Sequence, residues 1–129
     1  MPVFQIMHVV AAPVLQGLPK PDHERHILEM VVCLNSRGQL AATLEDVVYQ
    51  HCRLLRHGRE EWSGRLRMDE GRWIIQGDPD DDEPIKLLQV RTLRPGDHLT
   101  VNSPGNRAID FRVERVSQQH ERSIVTVRS

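Results

Sequence analysis

The chain has 129 residues, of which 39% are hydrophobic and 27% charged, and its formal net charge is −1. This length suggests one domain spanning residues 1–129, large enough to bury roughly two thirds of the surface its unfolded chain exposes. The composition is that of a soluble globular protein, and it excludes a disordered one. The near-zero net charge excludes whole-protein attraction to nucleic-acid phosphate, so only a local basic patch could bind it.

The basic residues are 15 Arg against two Lys, Lys20 and Lys86. Arginine suits bidentate contacts to carboxylate or phosphate, although a base-composition bias of the source genome gives the same excess. Two cysteines, Cys33 and Cys52, stand far apart and in no C-x-x-C pair. The segment MPVFQIMHVV has no basic leader region, and no apolar run approaches the ~18 residues of a transmembrane helix. The expectation is a cytoplasmic protein with free thiols and no membrane partner.

In chain order, Val3 to Val10 is apolar and β-branched and reads as a first strand, which Pro13 ends or places at a sheet edge. GLPKPD (17–22) is a loop. Residues 23–34 fit two periods: Ile27, Met30, Val31 and Leu34 match a helix face, while Leu28, Met30, Val32 and Leu34 match a strand. The VVC run and the turn residues Asn35-Ser36-Arg37-Gly38 favour a strand at 27–34, with Gln39–Ala41 as a possible return.

Residues 44–57 read as the main helix. Leu44, Val47, Val48, His51, Leu54 and Leu55 fall on one helical face. Thr43 supplies an N-cap, Glu45 and Asp46 an acidic first turn, Arg53, Arg56 and His57 a basic last turn, and Gly58 a C′ residue.

Strands then dominate. Trp62 to Gln76 reads as a hairpin turning at Asp69-Glu70-Gly71. GDPDDDEP (77–84) is an acidic loop, and Ile85 to Val90 is a short strand. Arg94-Pro95-Gly96-Asp97 is a turn, with Pro fixing φ at the first central position and Gly accepting φ > 0 at the next. Leu99 and Val101 begin a second hairpin, which turns at Ser103–Asn106 and returns through Ile109, Phe111 and Val113, alternating with Asp110, Arg112 and Glu114. Ile124–Val127 is a final strand. The predicted class is therefore α+β and β-rich: a small antiparallel barrel or sandwich of about seven short strands with one main helix at 44–57.

Candidate chemistry is sparse. Asp78, Asp80 and Asp82 mimic the start of a calcium loop, but Glu83 stands where the loop needs Gly and Gln89 where it needs a bidentate Glu. The seven histidines form no H-E-x-x-H motif. No serine sits in a G-x-S-x-G elbow, and the apolar surroundings of Cys33 predict an inert thiol. No catalytic residue, metal ligand or cofactor is assigned. What remains is the Arg-rich hairpin, where Trp62, Arg65, Arg67, Arg72 and Trp73 form the candidate binding surface. Arginine with exposed tryptophan marks protein interface hot spots and also single-stranded nucleic-acid grips. The leading expectation is a non-catalytic binding module acting through a protein partner or self-association as a homodimer. A nucleic-acid-binding barrel using the same hairpin is the first alternative, and a metal-dependent enzyme built on the acidic loop the second.

Overall fold

A strand that alternates apolar and polar residues must set its apolar side against other apolar sides. In the computed structural model, which describes residues 4–15, 18–19, 26–41, 50–77, 80, 84–103 and 107–118, the strands do so by closing a barrel. They are β1 (Gln5–Leu15), β2 (Leu18–Pro19), β3 (His26–Leu34), β4 (His51–Arg56), β5 (Arg59–Asp69), β6 (Arg72–Gln76), β7 (Ile85–Gln89), β8 (His98–Ser103) and β9 (Arg107–Gln118). All pairings are antiparallel, and from β3 to β9 each strand pairs with the next. β1 reaches past the two-residue β2 to β3 on one side and pairs with β9 on the other. That last pairing joins the two ends of the sheet, giving an eight-strand closed barrel with β2 attached to the end of β1.

The register shows which residues face inward. Val9, Met30, Cys52 and Gly64 stand opposite one another across four strands, as do Leu28, Leu54 and Trp62. Leu66, Ile75 and Lys86 form a third row, and Trp73, Leu88 and Val101 a fourth. Phe111, Leu28, Met30, Ile75 and Leu99 are fully buried, so side chains fill the interior as expected for eight strands. Leu93, from the β7–β8 connection, is 1% exposed and joins the same core. The outward rows carry His8, Glu29, Arg53, Arg65, Arg67 and Arg112. Apolar inside and charged outside is the reverse of a membrane-spanning barrel. No helix among the described residues is long and apolar enough to cross a membrane.

Tight turns set the register. His57-Gly58 and Glu70-Gly71 each join two strands through a pair of residues with positive φ, 52° and 79° in the first and 50° and 80° in the second. Two consecutive positive values define the type I′ turn, whose twist matches that of the strands it joins. The Arg94–Asp97 turn is closed by Asp97 N–H donating to the Arg94 carbonyl at 2.9 Å. The Asp97 carboxylate then accepts from the Thr92 hydroxyl at 2.6 Å and from the Arg94 N–H at 2.9 Å.

The structure corrects the predicted class. The protein is all-β, with no helix among the described residues, and the helix expected at 44–57 is not formed. Residues 42–49 lie outside the described residues, but His51–Arg56 is strand β4. Cys52 and Leu54 are core residues there and His51 is exposed, an alternation that no helix face produces. Gly58, read as a helix C′ residue, is the second residue of a hairpin turn; both roles need positive φ. β1 also runs further than expected, through Pro13 to Leu15. Its pairing with β3 ends at Ala11, so at Pro13 one flank is open, as proline requires in a sheet. Gln39–Ala41 returns only as a single bridge, Leu34 to Leu40. Residues 104–106 and the 124–127 strand lie outside the described residues.

Candidate interaction surface

The five residues singled out in the β5–β6 hairpin are divided by the alternation of the sheet. Trp62 and Trp73 face the interior, half-buried against the core. Arg65, Arg67 and Arg72 are exposed on the outer face. Arg67 pairs with Ile74 and Asp69 with Arg72, so Arg67 and Arg72 are diagonal neighbours on one surface. The hairpin thus brings the three arginines together and turns the tryptophans away from them. A stacking platform of interleaved arginine and tryptophan is not assembled.

The interior side of this hairpin is met by Lys86 of β7, which was not among the sequence-predicted site residues. Lys86 is only 8% exposed and its Nζ sits 4.8 Å from the centroid of the Trp62 ring, a cation–π contact. The signal was present in the β7 sequence IKLLQ, where Lys86 and Leu88 share a face. The aliphatic stem of lysine covers apolar surface while its ammonium finds an aromatic face.

Several charges elsewhere on the outer surface are answered locally. Glu29 on β3 accepts from Arg53 Nε at 2.7 Å and lies 3.2 Å from His8 Nε2. Arg53 also reaches Glu60 at 4.0 Å, and Glu61 lies between Arg56 at 3.5 Å and His26 at 3.7 Å. Partial burial alone would raise the Glu29 pKa, but the hydrogen bonds and charges of Arg53 and His8 outweigh it and hold the carboxyl below its usual range. Arg67 and Arg72 have no ion-pair partner among the described residues, as is also true of Arg59, Arg91, Arg112 and Arg115, but Arg67 and Arg72 are diagonal neighbours on one sheet face.

Nucleophilic chemistry finds poor ground here. Burial pushes the Cys52 thiol up to about 12 despite the nearby Lys86 charge, and burial raises that of Cys33 as well. Both are fully buried, Cys33 in a small outer cluster with Ala41, Phe4 and Ile6. Gln50 ties that cluster to the barrel: its Oε1 accepts from Cys33 N–H at 2.8 Å and its Nε2 donates to the Ala41 carbonyl at 2.6 Å. Most of the acidic loop lies outside the described residues, and among the described residues no three His, Cys, Asp or Glu side chains are grouped to hold a metal. No family model matches the chain, and neither a curated protein nor a solved structure matches it.

Proposed function

We propose that this barrel is a non-catalytic binding module that acts through protein contacts, with the outer face of β5–β6 as its recognition surface. The observation that carries this reading is the pair Arg67 and Arg72, adjacent on a regular sheet face and without an ion-pair partner among the described residues. Arginine is the charged residue most favoured at interface hot spots because its planar fork binds carboxylates bidentately. Ile85, 48% exposed and in register with Gln76, adds apolar area to the same outer face. The two thiols, buried and held protonated, support a binding role over a catalytic one.

The partner that matches this face is a second copy of the chain. The segment 78–83 carries five carboxylates in six residues, the complement that the arginine face calls for. Native mass spectrometry of the untagged protein tests this against the double variant Arg67→Glu/Arg72→Glu. The expected result is a dimer for the parent and a monomer for the variant, with the dimer weakening as salt rises. A dimer that survives the double variant overturns the choice of surface. A monomeric parent that binds a fluorescein-labelled oligothymidylate, with affinity falling steeply in salt, overturns the protein-contact reading in favour of nucleic acid.

A further inference from the structure

The end of the barrel opposite the β4–β5 turn holds a recess of about 370 Å³. Its apolar walls are Met7, Leu34, Leu93 and Val116, with Pro95 beside them, and Arg94 stands at its rim. Small-molecule sites have this form: a largely apolar concavity, frequently at a barrel mouth, with a few polar groups to orient the ligand. At ~30 Å³ per water, the space suits a ligand of about ten non-hydrogen atoms.

The polar groups of the rim identify the ligand's chemistry. Besides Arg94 they are Gln5 and Asn35, both engaged with neighbouring groups, and the uncharged hydroxyl of the exposed Ser36. Gln5 Oε1 accepts from Gln118 Nε2 at 3.0 Å. Asn35 Oδ1 accepts from the N–H groups of Arg37 and Gln39 at 2.9 and 3.0 Å, and Asn35 Nδ2 donates to Gln39 Oε1 at 3.0 Å. Arg94 differs. Its backbone is fixed by Asp97, and its Nε reaches the Asp97 carboxylate only at 3.5 Å. Its two terminal Nη groups donate no hydrogen bond among the described residues, and the guanidinium's ion pair there is with Asp97 alone.

Its stem is also held. A Cβ on Gly38 would lie 2.8 Å from Arg94 Cγ, so the absence of a side chain at 38 is what lets the arginine pass so close. Leu93 N–H donates to the Gly38 carbonyl at 2.8 Å, locking the two loops together beneath it. The result is a positioned guanidinium fork at the lip of an apolar recess.

The geometry points to a site for a free, medium-length apolar monocarboxylate, its chain between Met7, Leu34, Leu93 and Val116 and its carboxylate on the Nη groups of Arg94. This site lies outside the arginine face of β5–β6 and does not depend on it. A bidentate guanidinium–carboxylate pair is the strongest neutralising contact that such a rim offers.

Octanoate is the probe of matching size, and 1-octanol is its uncharged counterpart. Titrations are followed in ¹H–¹⁵N spectra through the amides of Gly38, Arg94 and Val116 and the Arg94 Nε–H. Octanoate is expected to shift these signals saturably with a dissociation constant of about 1 mM, and octanol to bind about tenfold more weakly. Arg94→Gln should bring octanoate down to the affinity of octanol and leave octanol unchanged. The Arg94 side chain is 63% exposed, so this variant keeps the fold. Ser36→Trp, placed on an exposed rim residue, should block both ligands. Equal affinity for octanoate and octanol, no effect of Arg94→Gln on octanoate, or no saturable shift at about ten times the expected constant would each overturn the assignment.

Discussion

The inner and outer faces of the β5–β6 hairpin are built from alternate residues of the same two strands, yet they serve different ends. The inner face carries Trp62, Leu66, Ile75 and Trp73, all packed into the barrel core, and offers an aromatic face to the buried Lys86. The outer face carries Arg65, Arg67 and Arg72, exposed to solvent. Residue types close in sequence are not thereby close on the surface of the barrel. In a strand, neighbours i and i+1 point to opposite sides, so a tryptophan beside an arginine belongs to a different surface.

Loss of a tryptophan from the inner face has the largest expected effect. Trp62→Ala should lower stability by about 3 kcal/mol in urea denaturation, because a large half-buried ring leaves a cavity and Lys86 loses its aromatic contact. A loss under about 1 kcal/mol would place the ring on the surface and restore the single Arg/Trp patch. Trp62→Phe, which keeps an aromatic face, should recover most of the loss.

The same alternation explains how far the sequence could be read. The strands between residues 62 and 113, the turns at 70–71 and 94–97, and a barrel as one of two β architectures are legible because period-two alternation and turn chemistry agree there. The 44–57 helix was not formed because its signals are shared. Leu54 and Leu55 satisfy a helical stripe, but Cys52 and Leu54 satisfy a strand equally well, and register with Met30 and Leu28 decides in favour of the strand. Gly58 fits a helix end and a type I′ turn for the same steric reason. The charge network around Glu29 was invisible for a different reason. His8, Glu29 and Arg53 lie on three strands, 21 and 24 residues apart in sequence, and only the register brings them together.

That network gives the next effect in size. Glu29→Gln should cost about 1 kcal/mol at neutral pH and low salt, since it removes a charged hydrogen bond to a partly exposed arginine. The pH dependence has a definite sign. The carboxyl is held below its ordinary 4.5, so the unfolded chain takes up the proton first as the solution is acidified. Glu29 therefore contributes its full share of stability above that value, and the share is lost as pH falls through the lower native value. Urea midpoints of parent and variant should be separated at pH 7 and converge on acidification below 4.5. A gap that persists unchanged into that range would mean the carboxylate is not the group at work.

The smallest expected effect is the one on which the recognition face depends. Arg67→Gln and Arg72→Gln should each leave stability within about 0.5 kcal/mol of the parent, because neither side chain has an ion pair to lose among the described residues. The contrast with Glu29→Gln matters more than either value. Charges that answer one another within the chain register in folding, whereas charges that serve the proposed contact would register in binding and leave folding alone. Should Arg67→Gln cost as much as Glu29→Gln, Arg67 is part of the barrel's own electrostatics. The outer face of β5–β6 would then be a second charged belt, and the recognition surface would have to be sought elsewhere on the barrel.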